Sequence, residues 1–111
     1  MDFNWLKIQH FVKDALKVDS LPGLETVLFL IGLQEIGVIV AGMSPKRKLE
    51  VTYAGTCAVL SQEGYYEKTG TDENGWPLWK ELKPFEPAND MEKNDILKRL
   101  VVRYFEDNYG L

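Results

Sequence analysis

Residues 27–43 form a run of seventeen positions with one charged side chain, Glu35, and that run must either cross a membrane or be buried inside a protein. A membrane span is disfavoured on three counts. Seventeen residues is the lower limit for crossing the hydrocarbon layer. Gln34 and Glu35 sit near the middle of the run, where a carboxylate costs about 2.5 kcal/mol or more. Gly32, Gly37 and Gly42 interrupt it. The run is therefore read as the central core element of a small globular fold.

The rest of the composition fits that reading. The 111 residues are 45% hydrophobic and 27% charged, enough apolar surface for a single domain over residues 1–111, and they carry too many large rings for a disordered tail. Thirteen basic against seventeen acidic residues give a net charge of -4, which repels a polyanion unless the basic groups are segregated, so nucleic acid is a disfavoured partner. Cys57 is the single cysteine and allows no internal disulfide, and the first five residues, Met1 to Trp5, lack the features of a secretory signal. A soluble cytoplasmic chain with no membrane segment is expected.

Hydrophobic periodicity and punctuation order the elements. Over residues 3–17, Trp5, Ile8, Phe11, Val12, Ala15 and Leu16 recur at helical spacing opposite lysines and Asp14, which predicts an amphipathic surface helix. Ser20 is read as the cap of a second helix over residues 22–36, with Pro22 in its first turn, and this helix is apolar on most sides. It should lie in the middle of the fold or against another subunit. The β-branched residues Val38, Ile39 and Val40 nearly balance helix and strand, with helix favoured. Ser44-Pro45 starts a third helix over residues 45–63, with Gly64 as its left-handed stop. Its small residues Ala54, Gly55, Thr56, Cys57 and Ala58 allow another helix to approach closely.

Residues 65–82 read as a β-hairpin turning at Asp72-Glu73-Asn74-Gly75. A two-residue turn pairs Lys68 with Glu81, and a four-residue loop pairs Glu67 with Lys80. Both registers keep Leu78 and Leu82 on one face and Tyr66 and Trp79 on the other. The leucine face is expected to pack on the helices. After an extended stretch at residues 83–87, Asn89-Asp90 caps a last helix over residues 91–107, with helix-spaced pairs Asp95 with Arg99 and Arg103 with Asp107. The fold class is mainly α, of the α+β kind: about four helices with one hairpin inserted between helices three and four.

Catalytic and cofactor chemistry finds little to stand on. His10 and Cys57 are the only histidine and thiol, and neither belongs to a ligand or nucleophile spacing; Cys57 reads as a small buried thiol and His10 as a surface residue. Gly75 arrives too early after Asp72 for a calcium loop, and the glycines at 32, 37 and 42 match no phosphate loop. No catalytic residue, metal or cofactor is expected.

Two surfaces are candidates for binding. Lys46, Arg47 and Lys48 occupy the first turn of a helix whose dipole already makes that end positive, and with the amides after Ser44 they could hold an anion or an acidic partner surface. Tyr66, Trp76 and Trp79 crowd a hairpin too thin to bury both faces, and such rings anchor protein interfaces.

The order of three helices, a hairpin and a final helix resembles some winged-helix DNA-binding domains over residues 20–82. That resemblance implies a third helix in the major groove and a hairpin wing. The third helix, however, is basic only at its start, and the hairpin carries Glu67, Asp72, Glu73 and Glu81. The expected function is a small non-enzymatic protein-binding or scaffolding module whose partner is a protein, a second copy included. A winged-helix-like DNA-binding regulator is the alternative.

Overall fold

The computed structural model describes residues 3–37 and 42–111. Among these, the order is α1 (Phe3–Leu16), α2 (Leu24–Ile36), α3 (Pro45–Ser61), β1 (Tyr66–Thr71), β2 (Pro77–Glu81) and α4 (Asp90–Tyr109). Four helices with a two-stranded antiparallel hairpin between α3 and α4 is the arrangement expected from the sequence. The expected helix at residues 38–40 lies outside the described residues.

The apolar run does not continue as one helix. Gly37 adopts a left-handed conformation (φ 79°) and its N–H bonds back to the Leu33 carbonyl at 2.9 Å, which closes α2. No helix among the described residues is long and apolar enough to cross a membrane. The start of α2 differs from the expectation. The helix begins at Leu24 behind Gly23 with no side-chain cap, and neither Ser20 nor Pro22 belongs to it. Pro22 is buried instead, and its carbonyl accepts a hydrogen bond from Gln9 Nε2 at 2.8 Å, so tertiary contact with α1 replaces the local capping signal.

The centre of the fold is the seam between α2 and α3, which run against each other with glycine facing backbone on both sides. A Cβ on Gly32 would overlap the Val51 carbonyl, lying 2.8 Å from its carbon, and a Cβ on Gly55 would overlap the Leu28 carbonyl and lie 2.9 Å from the Gly32 nitrogen. Backbones this close leave no room for any side chain, so the small residues of the third helix serve as expected. The seam joins a core that runs through Ile8 and Val12 of α1, Val27, Leu28 and Ile31 of α2, Val59 and Leu60 of α3, and Leu100, Val101 and Phe105 of α4. The second helix therefore spends its apolar faces within the chain, on α1, α3 and α4.

Both later helices have side-chain caps. Ser44 Oγ accepts from the Arg47 amide at 3.2 Å and Asn89 Oδ1 from the Glu92 amide at 2.8 Å. Arg103 meets Asp107 at 3.9 Å and also Glu63 at 3.7 Å, whereas Asp95 with Arg99 is not among the ion pairs of the described residues.

The hairpin takes the longer-loop register, with Glu67 opposite Lys80 and Lys68 opposite Trp79, and a bulge between Lys68 and Gly70 shifts the pairing toward the turn. Asp72 organises that turn by accepting from the Asn74 amide at 2.8 Å and the Trp76 amide at 2.9 Å. The two leucines do not pack as expected, although Tyr65 and Trp76, which alternation places on their face, do. Tyr66 and Trp79 lie against the helical core, while Leu78 and Leu82 are 46% and 50% exposed. The rings cover more apolar area than the leucines, and Tyr66 meets Tyr53 of α3 edge-on at 6.3 Å, so the rings rather than the leucines pack.

Candidate functional site

The two clusters singled out in the sequence meet where the first half of α3 faces the hairpin. Arg47 lies over the Trp76 ring, 4.8 Å from its centroid, and bonds Glu50 Oε2 at 3.0 Å. That contact ties the basic turn to the aromatic hairpin, and it neutralises Arg47 in place. The three cations do not converge on one anion. Lys46 and Lys48 make no ion pair with a described residue and point to opposite sides of Leu49. Ser44 is used as a helix cap.

Each lysine lines its own groove. One groove, of about 480 Å³, runs between α3 and the hairpin and is walled by Lys46, Leu49, Tyr53, Trp76, Leu78 and Trp79. The other, of about 500 Å³, runs between α3 and α2 and is walled by Glu25, Phe29, Lys48, Leu49 and Thr52. Leu49 is the ridge shared by both and is 72% exposed; Tyr53, one turn on, is 57% exposed.

The predicted aromatic anchors Tyr66, Trp76 and Trp79 are all half-buried; Trp76 and Trp79 form part of the groove wall, Tyr66 does not line it, and the apolar groups exposed around the groove are Leu49, Tyr53 and Leu78. The Trp79 indole N–H is buried and meets no acceptor among the described residues, a penalty of about 1–3 kcal/mol that the area of the ring offsets. Leu49 and Tyr53 were not singled out from the sequence. A usable signal exists: in a helix each residue turns about 100°, so Tyr53, two positions from both Val51 and Gly55, must face away from the seam that those two residues form.

Comparison of the chain with protein-family models, with curated proteins and with solved structures finds no match.

The titratable groups are spread through the fold, and among the described residues no group of three His, Cys, Asp or Glu could hold a metal ion. His10 is exposed on α1 and Cys57 is fully buried in α3. Burial pushes the Cys57 thiol from 9.0 up to about 11, which keeps it protonated and unreactive at neutral pH. Tyr104 donates to Glu35 Oε1 at 3.0 Å, and burial, followed by the carboxylate beside it, holds that phenol well above its ordinary value. The hydrogen bond with Tyr66, and then burial, raise Tyr53 in the same direction.

These shifts have one sign and one consequence. Each group is neutral in the folded protein at a pH where the unfolded chain ionises, so the stability they contribute is intact below about pH 9 and is lost as pH rises through the folded values. Thermal melts should show a flat melting temperature from neutrality to about pH 9 and a fall above it, less steep in Cys57→Ala than in the wild type. A melting temperature that rises above pH 9 would contradict this.

Proposed function

We propose that the chain is a small non-enzymatic protein-binding module and that it engages its partner through the face formed by α3 and the hairpin. One observation carries the reading: Leu49, Tyr53 and Leu78 are exposed side by side around a single groove, on a chain whose other large apolar groups are mostly inside. Scattered exposed leucines are ordinary on a protein surface, whereas a contiguous apolar set with rims of charge marks an interaction site. Covering Leu49 alone gains about 1–2 kcal/mol. Two of the groove walls are Trp76 and Trp79 backed by the core, a residue type that forms rigid anchors in interfaces.

The nucleic-acid alternative has less support. The positive charge of the first turn of α3 is confined to Lys46, Arg47 and Lys48, with Arg47 already paired to Glu50, and the hairpin beside it carries Glu67, Asp72, Glu73 and Glu81. Much of α3 is also inside the fold, from Val51 through Leu60, which leaves little of it to enter a groove of DNA. Retention on heparin that collapses steeply with salt would reverse this preference.

Site-specific photo-crosslinking in the cell of origin tests the proposal. A benzophenone side chain placed at Leu49 or Leu78 should yield discrete adducts with protein, while the same group at Met91 or Phe3, which are 75% and 80% exposed elsewhere on the molecule, should not. Equal labelling from all four positions, or none from Leu49 and Leu78, would remove the proposal.

A further inference from the structure

We infer that the partner presents a short acidic–apolar segment, which lies across Leu49 with an apolar side chain in each groove and a carboxylate facing Lys46. This rests on the protein-binding reading and names the chemistry of the partner. Three observations lead to it.

The first is shape. Two grooves of nearly equal size share the Leu49 ridge, so a chain crossing that ridge meets two apolar receptacles in succession. A repeated pocket along one line suits alternate or helix-spaced side chains of a single segment.

Charge is the second. Lys46 and Lys48 are exposed, one on each groove, without an ion pair to a described residue, and they stand in the first turn of α3, where the helix dipole adds to their field. In the hairpin-side groove the one carboxylate among the described wall residues, Glu50, is bound to Arg47, which leaves Lys46 without an ion pair to a described residue. In the other groove Glu25 shares the wall with Lys48 and offsets it. An acidic group on the partner is therefore drawn to Lys46 more strongly than to Lys48.

Size is the third. Fifteen of the described residues line the two grooves together, short of the roughly 20–30 a side that a stable interface between folded proteins uses. A second copy would also bring its own net charge of -4 against this one. A segment needs less surface, and it can set its acidic group directly against Lys46 rather than bring the full charge of a second chain.

Selection of random displayed peptides of about a dozen residues on the intact chain tests the inference. Enriched peptides should carry two large apolar residues and at least one Asp or Glu. Their affinity should fall about tenfold or more on Leu49→Asp, about three- to tenfold on Lys46→Glu, and less on Lys48→Glu. Because Leu49 is exposed, the aspartate variant should melt within a few degrees of the wild type, and Leu78→Asp replaces it if it does not. Enriched peptides without carboxylates, or binding that ignores Lys46→Glu, would overturn the inference. If no peptide is enriched but Leu49 still crosslinks to protein in the cell, the segment is wrong and the binding face stands, with an adduct of twice the chain mass identifying a second copy. If both fail, the protein-binding reading falls with it.

Discussion

Gly55→Ala is expected to cost the protein about 3 kcal/mol or more and to lower its melting temperature by about 12 °C or more, although the same change in an isolated helix would be favourable by about 1 kcal/mol. The opposite signs make the experiment informative. The added methyl would overlap the Leu28 carbonyl, which is backbone and has no rotamer by which to withdraw, so α2 and α3 must separate along their length. Gly32→Ala meets the Val51 carbonyl across the same seam and should behave alike. The two losses should not add, because one separation relieves both overlaps. An alanine variant as stable as the wild type in urea or thermal melts would mean that the helices are not in backbone contact.

Phe105→Ala should be comparably damaging, at about 3–5 kcal/mol, for the reverse reason that it empties space. Phe105 is the largest of the fully buried side chains, and its ring is packed edge-on against Phe11 of α1 at 5.7 Å and stacked on Tyr109 at 5.3 Å. It thus joins the first and last helices across the core, and no neighbour is free to fill the space its ring would leave. Set against a total stability of about 5–15 kcal/mol for a domain of this size, that loss brings the chain close to unfolding. The check is a denaturant titration read by fluorescence of the tryptophans. A loss under about 1 kcal/mol would show that the α1–α4 junction contributes little.

What the sequence discloses divides along physical lines. Helix ends announced by side-chain chemistry were legible: Ser44 caps α3 and Asn89 caps α4 as their spacing predicts. The start of α2 was not, because the local signal at Ser20 and Pro22 lost to the burial of Pro22 and its bond from Gln9. The small residues of α3 disclosed a close helix partner, and that partner is α2 through Gly32. For the hairpin, alternation groups the residues into faces only as far as the bulge between Lys68 and Gly70, and it does not say which side chains turn inward. Leucines and rings competed for the core, and the rings hold it.

The binding face was legible only in pieces. Lys46, Arg47 and Lys48 stand out by charge and Trp76 and Trp79 by ring content, yet their juxtaposition through Arg47 over Trp76 depends on how the hairpin folds back on α3. Leu49 and Tyr53 looked like any other apolar positions of a helix that is apolar on several sides. The glycine seam decides their place, since turning Val51 and Gly55 inward turns Tyr53 outward. The exposed face is thus a consequence of the α2–α3 contact as much as of its own residues.

Native-state amide hydrogen exchange reads that dependence residue by residue. The amides of α2 and α3 flanking Gly32 and Gly55 should exchange only through global unfolding, with the same free energy as the denaturant melt, while the hairpin over residues 66–81 exchanges earlier through local opening. Exchange from the α2–α3 seam ahead of the hairpin would show that the glycine contact does not hold the fold, and that the face it turns outward has no rigid support.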